Sequence, residues 1–586
     1  MDVLSFFQRL NKEGVKLTLK DGSLKVNSNK AIDQKLILEI KNNKSLIVSY
    51  LEKYQGENAT ELKEKYQSKN IKRGLLEKIT PFDKKDEDKI PLSFSQDRLW
   101  FLDQFEGTLA YHIPTAIRLE GALNIKVLEE SLRTIVARHE ILRTNLVSED
   151  GIGYQRIISE KDWSLDQVRT IQEEKANTTI QNYINIPFDL SNDYKLRACL
   201  YHLGNDNYIL VCVFHHIASD GWSSNILINE FVELYSSLKS GKEANLPELP
   251  IQYSDYAIWQ RQYLEGDVLE SQLSYWEEKL NEVGTLVLPT DYNRPSIQST
   301  EGATISLELN GEFSASLKSL SKQEGVTLFM LLLSTFKVML SRYSGQEDIC
   351  VGTPIANRTQ SELEGMIGFF ANTLALRSDL TGNLSFKELL KKVKQTTLES
   401  YDNQLASFEK VVDRVVADRN MNVSPLFQVM FVLQNTPSNT QVNIDDVVVS
   451  EYEFDRVTSQ FDLTLNVLET DSGILISIEY CTALFESATI DRMLVHYKEL
   501  LNSVLNDVNQ PIGSLPMLTE PETVQLLEVF NNTEVDYPKD KTIVDVFAAQ
   551  VVNSPEAIAV VYKEEEFTYK ELDERSNQLA HYLSEQ

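Results

Sequence analysis

Two of the seven histidines in this chain are adjacent, His215 and His216, within the segment FHHIASDGWS. Imidazole has an ordinary pKa of about 6.5, so a histidine at the rim of a cleft is a candidate general base near neutral pH. The preceding run YILVCVF is continuously apolar and fits a strand buried on both faces. Asp220-Gly221 follows as a turn signal, so the chain leaves the core just after the doublet and can open into a cleft. A single histidine in such a place is more often a satisfied structural residue; the doublet joined to the turn points to chemistry.

The elements around the doublet belong to a large body. At 586 residues the chain exceeds one hydrophobic core, and roughly 100–200 residues per domain predicts three or four units. From Pro91 to about Leu515, helical patterns such as NIKVLEESLRTIVARHE alternate with apolar strands such as YILVCVF and LFQVMFVL, which predicts an α/β body of two lobes, 91–265 and 266–515. Trp100, Tyr256 and Trp259 are expected in its core. Before it, residues 54–90 read as a charged linker, because DKKDEDK has almost nothing to bury. Residues 516–586 hold a linker and the start of another unit, with two strands and then a helix beginning near Tyr569 that is still running where the sequence stops.

Residues 1–53 form a small unit of helix, hairpin and two helices, with Asp21-Gly22 as the hairpin turn. Ten basic and six acidic residues give this segment a net charge of +4, against −30 for the whole chain. Lys16, Lys20 and Lys25 lie on or beside the hairpin. They form either a solvated face or a docking surface for an acidic partner. The overall negative charge argues against nucleic acid or anionic membrane as a partner. No secretory signal or apolar run of about 18 residues is present, and Cys199, Cys212, Cys350 and Cys481 lack metal-ligand spacing, so a reducing cytoplasm is the expected compartment.

HHIASDGWS resembles the HHxxxDG signature of nonribosomal peptide synthetase condensation domains, within the chloramphenicol-acetyltransferase-like superfamily. Six further stretches resemble the other motifs of that family in order: SFSQDRLWFL from Ser93, ARHEILRTNL from Ala137, YSDYAIWQ from Tyr253, VGTPIANR from Val351, IGFFANTLALR from Ile367 and SPLFQVMFVLQN from Ser424. The resemblance implies two chloramphenicol-acetyltransferase-like lobes in a V-shaped pseudo-dimer, with His216 near their junction and a tunnel open to both substrates. Residues 1–53 resemble TubC-type docking domains of α-β-β-α-α order, and FTYKELDERSNQLAHYL resembles the first adenylation-domain motif. Segments for holding ATP phosphates or for carrying phosphopantetheine (GGxS) are absent from the sequence, so activating and carrying amino acids are not expected of it.

The resemblance implies amide formation between a donor acyl thioester on an upstream carrier protein and the amine of an acceptor aminoacyl thioester on a downstream carrier. No permanently bound cofactor or metal is implied; the substrates ride on the phosphopantetheine of the carriers. His216 is the expected proton acceptor or amine-binding group, with His215 packing behind it. Asp220 is expected in a structural ion pair with Arg358, with Arg138 or Arg143 as the alternative partner. Gly221 is expected to let the pantetheine arm or a developing oxyanion approach the backbone. The doublet has not become the aspartates of heterocyclising relatives, FVLQN stands where epimerising relatives have an FNYLG-like segment, and the DFGWG segment of plant-type coenzyme A acyltransferases is absent. Epimerisation, coenzyme A-dependent acyl transfer and a catalytically silent scaffold remain the competing readings.

Overall fold

The histidine doublet closes an interior strand of a six-stranded sheet, Asn207–His215. The computed structural model describes residues 15–20, 23–28, 40, 78–83 and 89–586, apart from 107–108, 167, 417–421, 435–440, 445 and 453–457. His112–Gly121 and Leu196–Gly204 flank the doublet strand, both antiparallel. With a neighbour on each side, every residue from Ile209 to His215 is buried, as the unbroken apolar run requires. Asn205 and Asp206, at φ 48° and 55°, form the two-residue loop that feeds this strand from the previous one. Left-handed angles at both positions match the twist of a tight hairpin, and Asn and Asp tolerate them better than most residues.

The full order of this first sheet is Gln441–Ile444, Val447–Glu451, His112–Gly121, Asn207–His215, Leu196–Gly204 and Val168–Thr170. Its first two strands come from far along the chain. They form a hairpin whose second strand pairs antiparallel with His112–Gly121, Val447 standing opposite Gly121. Gly121 has φ +130°, and a Cβ there would stand 2.1 Å from the Asp446 carbonyl oxygen, so only glycine lets the hairpin dock. Helices Ile125–Arg138 and Gly221–Lys239 pack on each other beside this sheet.

A second six-stranded sheet has the order Gly302–Asn310, Gly473–Cys481, Leu463–Glu469, Val429–Gln434, Asp348–Ile355 and Asn372–Asp379. Helix Leu328–Ser344 is buried at every residue from Met330 to Leu340 and packs against helices Phe386–Asp402 and Ser487–Asn506. A helix buried all round has no solvent face and belongs in a core. The fold is therefore mixed α/β, the class read from the sequence.

The division at 265 is not clean. The hydrophobic core around the first sheet takes in Leu363, Met366, Ile367 and Phe370, and also Ile444, Val447 and Val449. A local sequence pattern assigns a segment to its neighbours in the chain, whereas these two segments complete the other half: one adds strands to an open edge, the other carries apolar side chains into its core.

Near the N-terminus, Val15–Lys20 and Ser23–Ser28 pair antiparallel with Lys20 opposite Ser23; residues 21 and 22, the expected turn, lie outside the described residues. The helices expected around this hairpin, apart from the buried helical residue Ile40, and the linker 54–90 other than 78–83 and 89–90, lie outside the described residues. The chain divides into two compact units, 1–516 and 517–586. In the second, Ile558–Tyr562 pairs with Glu565–Thr568, and helix Tyr569–Glu585 follows with a Thr568–Glu571 capping box. Among the described residues, no single helix is long and apolar enough to cross a membrane.

Candidate active site

The segment from His215 to Gly221 passes from strand to turn to helix, and each step sets one side chain. His215 ends the strand with no exposure to solvent. His216 begins a single 3-10 turn to Ala218, and Asp220 is the N-cap of helix Gly221–Lys239. Asp220 accepts from the Ser223 backbone N–H at 2.9 Å and from the Ser223 hydroxyl at 2.7 Å, which satisfies a donor that the first helical turn leaves open.

His215 holds the turn from inside. Its Nδ1 accepts from the Ile217 N–H at 3.1 Å, so the ring proton sits on Nε2. Its ring centre lies 5.9 Å from that of His112 and 5.7 Å from that of Phe188. Burial, then the neighbouring His112, His216, Lys195 and Arg197, hold the imidazole well below its ordinary value. His215 is thus a neutral packing residue behind the turn. Beneath it, burial lowers the Lys195 ammonium to about 7, and Lys195 Nζ donates to Asn145 Oδ1 at 3.2 Å and to the Asp193 carbonyl.

His216 is half-buried, and its ring meets Phe369 edge-on with the ring centres 4.6 Å apart. Its Nδ1 has no well-formed hydrogen bond among the described residues. Burial lowers the imidazole below its ordinary 6.5, against the opposing pull of its own backbone, the Asp220 carboxylate and the Ser219 backbone. A lowered value keeps the ring neutral, and so able to accept a proton, at neutral pH.

Arg358 reaches Asp220 from the loop after strand Asp348–Ile355. Its Nη2 stands 3.1 Å from Asp220 Oδ1, and both side chains are 2% exposed. Arg358 also donates to the carbonyls of Leu363 and Met366 and lies over the Phe370 ring. Arg138 and Arg143, the alternative partners for Asp220, are engaged elsewhere. Arg138 Nε donates to Glu230 at 2.9 Å, and Arg143 Nη1 to the Ile158 carbonyl at 2.8 Å. Glu230 lies ten residues beyond Asp220 on the same helix, about 15 Å along the axis, so an arginine held there has no reach to the cap.

The loop after Leu363 is the part of the site that motif reading missed. Its Gly368 N–H reaches Ser223 Oγ at 3.2 Å and its Phe370 N–H reaches Asp220 Oδ2 at 3.1 Å. Tyr253, whose hydroxyl also meets Ser93, donates to the Phe369 carbonyl at 2.7 Å. A Cβ on Gly368 would stand 2.4 Å from the Tyr253 ring, so glycine is required for the close fit. The signal was present: IGFFANTLALR and YSDYAIWQ both stood out, but nothing in the sequence tells that one clamps the other.

Gly221 is exposed, and a Cβ there would meet nothing within 4 Å. Its backbone is not left-handed, so no strain at this position requires glycine. An open cavity of about 410 Å³ lies beside the neighbouring Trp222 and Arg358, lined also by Asn357, Glu364, Tyr401 and Gln404. Tyr256 is buried, whereas Trp100 and Trp259 are half-buried against the core. Lys16 and Lys20 pair in register with Asn27 and Ser23, and Lys25 with Thr18; their side chains lie outside the described residues.

A histidine just past the end of a central strand, on a turn braced by a buried ion pair and faced by a loop from the other sheet, is the candidate active site. The condensation-domain family profile matches residues 86–527, and the chain belongs to that family, whose acyltransferase-type enzymes form amide bonds in nonribosomal peptide synthesis. It is 42% identical over 510 residues to one of the linear gramicidin synthase proteins of Brevibacillus parabrevis, covering 85% of this chain and 10% of that protein. It is 39% identical over 496 residues to bacitracin synthase 3 of Bacillus licheniformis, covering 84% and 8%. The chain thus spans about a tenth of the length of these curated relatives. Among solved structures, the X-domain from teicoplanin biosynthesis matches at 25% identity with TM-score 0.69, covering 75% of this chain and all of that one. A four-domain nonribosomal peptide synthetase bound to AMP and glycine shares the fold at 20% identity with TM-score 0.73, covering 87% and 40%.

Proposed function

We propose that this chain joins a donor acyl or peptidyl thioester, carried on the phosphopantetheine of one carrier protein, to the α-amine of an acceptor aminoacyl thioester on a second. The observation that carries this reading is the half-buried, neutral His216 imidazole just past the end of its strand, with the braced Asp220 turn behind it. The acceptor amine attacks the donor carbonyl, the C–N bond forms as the C–S bond breaks, and the upstream carrier leaves as a thiol. The thioester is already activated, so no covalent acyl-enzyme is needed.

An α-amine has a pKa of about 7.7–8.0, so some of it is free base at neutral pH and His216 has only to orient it and take the proton released on attack. Base catalysis contributes about 10²–10⁴-fold, whereas holding two tethered reactants in line supplies roughly 7–11 kcal/mol. Positioning is therefore the larger effect. Gly221, open at the helix N-terminus, leaves room for the pantetheine arm or the developing oxyanion. Residues 1–53 are read as the docking domain for an upstream synthetase protein, and the HHIASDGWS segment as favouring an L-configured donor.

The test is condensation between two loaded carrier proteins, read by mass spectrometry of the product thioester. Dipeptidyl or longer thioester on the acceptor carrier supports the reading. Turnover with free coenzyme A thioesters and none with loaded carriers, or no turnover with any pair, overturns it in favour of a coenzyme A acyltransferase or a silent scaffold.

A further inference from the structure

His139 is completely buried at the end of helix Ile125–Arg138 and belongs to neither the histidine doublet nor the ion pair. Its two ring nitrogens bond in opposite directions. Nε2 lies 2.9 Å from Glu230 Oε2, and Nδ1 accepts from the Ile367 N–H at 3.2 Å. The second contact fixes the tautomer: a proton on Nδ1 would face another donor, so the proton is on Nε2 and is donated to Glu230. Arg138 donates to the other oxygen of the same carboxylate. Glu230 therefore acts as an anchor on helix Gly221–Lys239, and His139 carries that anchor to the loop. Burial raises the Glu230 carboxyl, but the His139 and Arg138 contacts outweigh it and leave the group below its ordinary value, and so ionised.

Ile367 has no solvent exposure, so its N–H depends on His139 for a partner. Two residues on, Phe369 meets the His216 ring, and His216 Nδ1 has no well-formed hydrogen bond to set the ring angle. The edge-on contact with Phe369 is therefore one of the few that set the angle of the imidazole.

We infer that His139 is a positioning residue for the condensation reaction: through the Ile367 amide it joins Ser223, Tyr253, Asp220 and Arg358 in holding the loop that sets Phe369 against the His216 imidazole. A side chain without an acceptor at this point leaves a buried N–H unpaired, and the loop shifts to find another partner. Phe369 moves with it. The inference rests on the condensation reading above.

Its test compares three variants in the loaded-carrier assay. His139→Leu, which has no acceptor, lowers kcat by about 10- to 100-fold, the scale of a reacting group displaced by about 1 Å, while KM for the carriers stays within about twofold. His139→Asn keeps an acceptor near the Nδ1 position and recovers most of kcat. His139→Gln keeps a donor toward Glu230 and does not. Wild-type kcat in the leucine variant, or recovery in the glutamine variant equal to that in the asparagine variant, overturns the inference. Amide hydrogen exchange of the wild-type chain, resolved to single residues, decides independently of how well any variant folds: slow exchange at Ile367 is expected, and fast exchange overturns the inference. Absence of turnover in the wild type would count against the condensation reading, and the exchange rate at Ile367 would still report on the clamp.

Discussion

Arg358 Nη2 stands 3.1 Å from Asp220 Oδ1 although the two residues are 138 apart in the chain, and the carboxylate it meets also caps the helix behind His216. One buried ion pair thus ties the loop after a strand of the second sheet to the turn that ends a strand of the first.

Breaking this pair from either side is expected to destabilise the fold more than to alter the chemistry. Removing one partner strands a buried charge and typically costs about 3–5 kcal/mol. Asp220→Ala also loses the helix cap, worth about 1 kcal/mol more, and Arg358→Ala also loses the bonds to the Leu363 and Met366 carbonyls. Denaturant unfolding of Asp220→Ala, Arg358→Ala and the double variant checks this: the double variant should lose clearly less than the sum. Normal stability with lost activity in Asp220→Ala would instead give Asp220 a direct chemical role.

His216→Ala is expected to lower kcat with loaded carriers by about 10²-fold or more if proton acceptance contributes to the rate. Stability should hold, because the ring is half-buried and its Nδ1 makes no well-formed bond. Burial lowers the His216 value below 6.5, so the acidic limb of the wild-type pH–rate profile should have its midpoint below pH 6.5. A midpoint at or above 7, after correction for the acceptor amine, would contradict the neutral ring. A residual rate within about tenfold of wild type would mean that His216 contributes little as a proton acceptor.

What the sequence made legible was local. YILVCVF required a doubly flanked strand, Asp21-Gly22 required a hairpin, and the order of motifs required the family. What it left open depends on long-range contacts. Three arginines were compatible with Asp220, and only the folded chain shows Arg138 and Arg143 engaged elsewhere. The hairpin 441–451 reads as any pair of short strands; that it completes the opposite sheet depends on Gly121 lacking a Cβ. His139 stood in the quoted ARHEILRTNL motif, yet its tie to Ile367 crosses 228 residues, and no spacing rule reaches that far.

Lys337 gives a pH-dependent stability. It is fully buried, Nζ donates to the Leu376 carbonyl at 2.6 Å and to Ser378 Oγ at 2.7 Å, and burial lowers it from 10.5 to about 7. Leu376 lies on the edge strand Asn372–Asp379, in register with Val351 of the neighbouring strand. Between about pH 7 and 10.5 the unfolded chain binds the lysine proton and the folded chain does not. The contribution is full above 10.5 and is lost as pH falls toward 7. Melting temperatures of wild type and Lys337→Met from pH 7 to 10 check this: the difference should change with pH in that direction. The variant also loses the Lys337 bonds to the Leu376 carbonyl and Ser378 Oγ, a pH-independent offset. A pH-independent difference would mean that the lysine stays charged in the fold.

The N-terminal hairpin makes the last prediction. Residues 1–53 carry a net +4 on a chain of net −30, and the strands Val15–Lys20 and Ser23–Ser28 hold Lys16, Lys20 and Lys25 in one short antiparallel ladder. If this segment docks an upstream synthetase protein, the partner should end in a short acidic tail, with a strand added to the edge of the hairpin as the simplest mode. Exposed ion pairs contribute only about 0–1 kcal/mol each and are screened at physiological salt, so binding should be modest and should weaken as salt is raised. Changing Lys16, Lys20 and Lys25 together to glutamate in the full chain should abolish binding of a labelled acidic tail peptide, read by fluorescence anisotropy at low and physiological salt. Because the changes lie far along the sequence from His216, turnover with loaded carriers supplied in excess should not fall. Binding that ignores both salt and the triple change would mean that the basic charge is a solvated face.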